Sequence, residues 1–102
     1  MIDRMLIHTC EIRPYLRQGA GGPLYGAPEI RHCRMEPGTN AKIVYKNPSG
    51  AITETAASLL MFCTGEPIPV NSSVIWNGCE MRVIKCQVMY GMGMHHLEVY
   101  LE

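Results

Sequence analysis

Ser73-Val74-Ile75-Trp76-Asn77-Gly78-Cys79-Glu80-Met81-Arg82-Val83-Ile84-Lys85 carries the strongest conformational signal in the chain. Asn77-Gly78 suits a type I′ turn, whose two central residues need positive φ, a demand that Asn and Gly meet at least cost. The flanking residues are largely β-branched and aromatic, so the segment reads as two antiparallel strands joined by a two-residue turn. The return strand runs through residues 80–90, and its alternation breaks at Val83-Ile84. Met81 and Val83 share one side, while Ile84, Cys86, Val88 and Tyr90 take the other. One inserted residue, a β-bulge, accounts for such a switch. Beyond Gly91-Met92-Gly93, residues 95–101 alternate cleanly, with Leu97, Val99 and Leu101 inward and His96, Glu98 and Tyr100 outward.

The same period of two extends upstream. In residues 4–12, Leu6, His8, Cys10 and Ile12 share a side. In residues 29–35, Ile30, His32 and Arg34 oppose Arg31, Cys33 and Met35. Residues 41–46 read as a strand entering the turn Asn47-Pro48-Ser49-Gly50, and residues 52–63 leave it. Residues 54–61 also have enough helical propensity for one short helix. Between Arg13 and Pro28 lie Pro14, Gly19, Gly21, Gly22, Pro23, Gly26 and Pro28. That density of breakers predicts a mobile loop, without helix and without strand ladder. Short strands at this spacing predict an all-β fold. The expected architecture is a small barrel or sandwich of about six to seven antiparallel strands with long Gly/Pro-rich loops.

The 102 residues make one domain, residues 1–102, with no room for two independent cores. Apolar residues make up 47% and charged residues 18%, enough apolar matter to bury a core. Nine basic side chains balance nine acidic ones, which argues against a domain that grips nucleic acid by bulk charge. The charge is segregated: residues 1–46 hold seven basic and four acidic side chains, residues 47–102 two and five. The longest apolar run, residues 56–63, is far short of the roughly 20 residues of a membrane span. No export signal is read at the start of the chain. Five cysteines without Cys-x-x-Cys spacing suggest reduced thiols in a cytoplasm, most of them acting as small buried hydrophobes.

Chemical motifs are sparse. His95-His96-Leu97-Glu98 places His96 and Glu98 on one strand face and His95 on the other. This is the one cluster that suggests a metal-dependent enzyme or ligand-binding protein, with the third ligand coming from elsewhere. No Gly-x-Ser-x-Gly occurs, and Gly19-Ala20-Gly21-Gly22 runs into Pro23 without a phosphate-loop lysine. One Trp and one Phe give no platform for stacking bases. Met92 and Met94 flank the last turn, where flexible thioethers suit an adaptable contact surface.

The run from Ser73 to Lys85, followed by Gly91 and His95-His96-Leu97-Glu98-Val99-Tyr100-Leu101, resembles the end of the small head-completion proteins of long-tailed bacteriophages. That family, often labelled minor capsid proteins, includes the stopper of the head-to-tail connector. Tyr25-Gly26, residues 31–37 and Asn47-Pro48-Ser49-Gly50 fit it more loosely, and Met81 stands where the family commonly has an aromatic. The resemblance implies a β-barrel connector protein that is monomeric in isolation and forms a homo-oligomeric ring on assembly. The ring would lie below the portal and its adaptor, close the DNA channel after packaging and dock a tail-completion protein. It implies a virion component assembled in the bacterial cytoplasm, touching packaged DNA without sequence preference and no membrane. No catalytic residue, cofactor or metal is part of that role. In such stoppers a long loop between two early strands projects into the channel, and residues 37–50 match it by position. Thr39, Asn40, Lys42, Lys46 and Asn47 are the channel-loop candidates, with the loop at residues 13–28 as a rival. Removal of residues 39–47 is expected to leave the barrel folded. Tyr25, Met92, Met94, His96 and Glu98 are the interface candidates.

Overall fold

The computed structural model describes residues 6–38, 42–91 and 94–102. It is all-β, with ten strands: β1 (His8–Arg13), β2 (Tyr15–Gly19), β3 (Gly22–Tyr25), β4 (Glu29–Pro37), β5 (Lys42–Lys46), β6 (Ile52–Ala56), β7 (Leu59–Cys63), β8 (Ser73–Trp76), β9 (Cys79–Gly91) and β10 (Met94–Leu101). Six of them close into an antiparallel barrel in the order β1-β4-β7-β10-β9-β8, with β8 returning to β1. The other four form two hairpins, β2–β3 and β5–β6, inserted between barrel strands. Residues 54–61 are strand rather than helix. They divide at Ala57-Ser58 into β6 and β7, which belong to different sheets. Thr53 and Thr55 pair with Tyr45 and Ile43, so a helix here would forfeit a complete ladder.

Asn77 and Gly78 take φ of 52° and 80°, the double positive pair that a type I′ turn demands. The bulge falls where the alternation breaks. Tyr100 lies opposite Lys85 and Leu101 opposite Val83, which leaves Ile84 as the extra residue. Its effect differs from the side-switch expected. Val83, Cys86 and Val88 all pack in or against the barrel core, while Ile84 enters a second cluster with Ile43, Tyr45 and Ala57. Leu97, Val99 and Leu101 are fully buried in the barrel, as their period of two requires.

Residues 13–28 are not a loop. Tyr15 pairs with Tyr25, Arg17 with Leu24, Gln18 with Pro23 and Gly19 with Gly22, with an irregularity at Leu16. Each strand of a two-stranded ribbon is an edge, the one sheet position that tolerates proline. Gly22, at φ 130°, supplies a turn conformation closed to other residues. The base of this arm is tied down: Gly26 N–H donates to Pro14 O at 2.7 Å and Tyr15 N–H to Ser72 Oγ at 2.9 Å. Beyond that base Leu16 is 64% exposed, and Arg17, Gln18, Leu24 and Tyr25 face solvent.

The β5–β6 hairpin is packed rather than free. Ile43 and Tyr45 are buried against Ile84, and Tyr45 Oη donates to Glu102 Oε2 at 3.2 Å. Removing residues 39–47 would therefore strip half of a core cluster and expose Ile84. The barrel core is a separate cluster that contains none of these side chains. Only the turn beyond Asn47 is free of the core. Asn47 closes it, accepting Ala51 N–H at 3.0 Å and the Ser49 hydroxyl at 2.7 Å on Oδ1.

Candidate functional site

The candidate residues lie in three separate places. Lys42, Lys46 and Asn47 sit on β5 and its turn; Thr39 and Asn40 lie outside the described residues. Tyr25 stands on the arm, edge-on to Tyr15 with ring centroids 6.4 Å apart. It borders a polar recess of about 420 Å³ with Ser72, Ser73, Glu80, Arg82 and Glu102. His96 and Glu98 sit on the outer face of β10, with His96 Nε2 3.3 Å from Glu98 Oε2. Phe62 flanks this pair, its ring centroid 6.1 Å from that of His96. Met92 and the side chain of Met94 lie outside the described residues.

His95 does not join His96 and Glu98. It occupies the opposite strand face beside Tyr90, with ring centroids 6.1 Å apart, near Gly65, Glu66 and Pro67 at one end of the barrel. No group of three His, Cys, Asp or Glu side chains converges among the described residues. The geometry at His96 is that of a half-buried hydrogen-bonded pair under an aromatic edge.

A groove of about 690 Å³ runs along β5, on the side away from β6. Its walls are β5 and the Asn47 turn on one side and Tyr15, Val70, Asn71 and residues 84–86 on the other. Lys42 and Lys46 line it as well, and the third cation is Lys85, whose Nζ lies 5.4 Å from the centre of the Tyr100 ring. The groove's second wall is not legible in the sequence, because β5 and β9 do not pair as strands and meet through side chains far apart along the chain. One signal was available: Asn71 takes φ 77°, a conformation that Asn visits more readily than most residues, just ahead of the polar pair Ser72-Ser73.

Cysteine chemistry is confined to the barrel. All five thiols are free: Cys10, Cys33 and Cys63 are buried, Cys86 is half-buried and Cys79 is exposed. Cys33 and Cys63 are directly opposed on β4 and β7, and Cys10 Sγ lies 3.7 Å from Met61 Sδ. The hydrogen bond with Cys33, reinforced by burial, holds the Cys10 thiol well above its ordinary value. Burial pushes Cys63 up to about 11, against the pull of Arg31. The unfolded chain releases the Cys63 proton near pH 9, whereas the folded chain keeps it to about 11. The unfolded state thus binds fewer protons between these values, and stability falls as pH rises through that window. The urea midpoint is expected to drop between about pH 9 and about pH 11, by roughly 1–3 kcal/mol in free energy. Cys63→Ala should show a shallower fall, and an unchanged slope would show that Cys63 is not responsible.

Comparison with protein-family models and with curated proteins finds no match for this chain.

Proposed function

We propose that this chain is a structural collar unit of a bacteriophage or prophage particle, a head-completion or stopper protein. In this reading copies form a ring below the portal and adaptor, obstruct the DNA channel after packaging and present a docking surface to the tail. Two things support it. The first is the resemblance of residues 73–101, which form the β8–β9–β10 run of the barrel. The second, which carries the reading, is the β2–β3 arm. A closed barrel has no free sheet edges, so the hairpins alone can offer pairing edges to neighbours. A lone two-stranded ribbon is marginally stable in water, and this one carries Leu16 and Leu24 exposed to it. Such a ribbon gains from a neighbour that covers it. The charge segregation along the chain suits a head-to-tail contact, in which two different faces of the same subunit meet. The work is obstruction and docking, with no covalent bond made or broken.

The test is co-assembly with a bacteriophage portal–adaptor complex, followed by sedimentation and particle imaging. The wild type is expected to add a ring. Leu16→Asp combined with Leu24→Asp should leave the melting temperature within a few degrees, since both side chains already face water, and reduce incorporation by at least about tenfold. Failure of the wild type to add a ring, or full incorporation of the double variant, overturns the proposal.

A further inference from the structure

We infer that the groove along β5 is a binding site for an extended peptide of alternating acidic and apolar residues, taken up as a third strand on the free edge of β5. The inference goes beyond the collar reading and stands on different residues, so either can fail alone.

Three observations meet in this groove. The first is a row of backbone groups that no described strand pairs with. Asn47 N–H donates to Ala51 O at 2.9 Å, which makes Asn47 and Ala51 a hydrogen-bonded pair. Antiparallel pairing alternates, so Tyr45 with Thr53 and Ile43 with Thr55 are hydrogen-bonded pairs too. The N–H and C=O groups of Lys42, Val44 and Lys46 then point away from β6, and β5 has no other partner strand among the described residues. The Lys46 carbonyl confirms the direction, accepting Asn71 Nδ2–H at 2.9 Å from across the groove.

The second is a buried acceptor without a donor. Asn71 is 7% exposed and lines the groove, and its Oδ1 accepts no hydrogen bond from any described residue. The bond from Nδ2 to Lys46 O fixes which amide atom is which, because a flipped amide would set oxygen against oxygen. A buried acceptor left bare costs about 1–3 kcal/mol, which an arriving N–H group removes. A peptide supplies such a donor beside the edge of β5. A phosphodiester offers none and would place its oxygens against Oδ1.

The third is charge. Lys42, Lys46 and Lys85 line the groove, and no carboxylate of the described residues does. Lys42 is shared with Glu54 at 3.5 Å, which leaves Lys46 and Lys85 as the stronger attractors. The floor beneath them is apolar, from Val70 and Ile84. A strand added here turns alternate side chains to the floor and to the rim, hence the alternating pattern of the ligand.

The test is a titration of the isotopically labelled full chain with the capped hexapeptide Glu-Val-Glu-Val-Glu-Val, followed by amide NMR. Saturable shifts are expected at Val44, Lys46, Lys85 and the Asn71 side chain, with the Val44 amide gaining protection from exchange. The peptide Lys-Val-Lys-Val-Lys-Val should bind at least about tenfold more weakly. Val44→Pro removes an edge N–H without taking a bond from the β5–β6 ladder and should abolish binding. Lys46→Glu with Lys85→Glu leaves the backbone untouched and should weaken binding of the acidic probe by about tenfold or more. Absence of shifts at millimolar acidic peptide, equal binding of the two probes, shifts centred elsewhere, or binding unchanged in either variant overturns the inference.

Discussion

Gly38→Ala unfolds or severely destabilises this protein. Gly38 directly follows the first long barrel strand, β4, and its N–H donates to Ser58 O at 3.0 Å. A Cβ at this position would collide with Ala57 O and lie 2.7 Å from Ser58 C and 2.8 Å from Ala57 C. These are backbone atoms at the junction of β6 and β7, and Ser58 N–H is itself bound to Leu101 O at 2.7 Å. Nothing in the neighbourhood is the movable end of a side chain, so two chain segments must separate. The expected loss is about 3 kcal/mol or more, a fall in melting temperature on the order of 10–20 °C. Thermal unfolding followed by circular dichroism checks it. A fall of only a few degrees would mean that the β4 end and the β6–β7 junction are less tightly apposed than described.

Ile84→Asp separates the two cores. Ile84 is 1% exposed among Ile43, Tyr45 and Ala57, and the one hydroxyl of the cluster, Tyr45 Oη, is already engaged with Glu102. An unpaired charge there costs upward of about 3 kcal/mol, and the cheapest relief is for the β5–β6 hairpin to lift from β9. The barrel core of Leu97, Val99, Val83 and Met61 does not contain this side chain. Hydrogen exchange is therefore expected to show lost protection across β5 and β6 with β7 and β10 still protected. Simultaneous loss in all four strands would show that the hairpin and barrel form one cooperative unit. The same variant removes one wall of the β5 groove, so it should also abolish binding of the acidic peptide.

The barrel strands were legible because one face of each is buried. Leu97, Val99 and Leu101, or Cys10 and Ile12, repeat every second residue, and that period survives whatever the strands pack against. Asn77-Gly78 announced its turn through φ alone, a property of two residues and not of the fold. The bulge at Val83-Ile84 was visible as a break in the alternation of the return strand. The arm was missed because Pro and Gly were read as breakers of sheets in general. They break central strands, and an isolated ribbon has only edges.

By itself, then, the amino-acid sequence determined the all-β class, the hairpin at residues 73–85, the bulge and the inward set of the last strand. Each follows from local stereochemistry and alternating burial, which neighbouring residues carry on their own. The tertiary structure alone decided that the barrel closes through β1 and β8, that Ile84 turns to a second cluster, and that Asn71 and Lys85 face Lys46 across a groove. Those are meetings of residues far apart along the chain, set by strand order and closure, and no period within a segment encodes them.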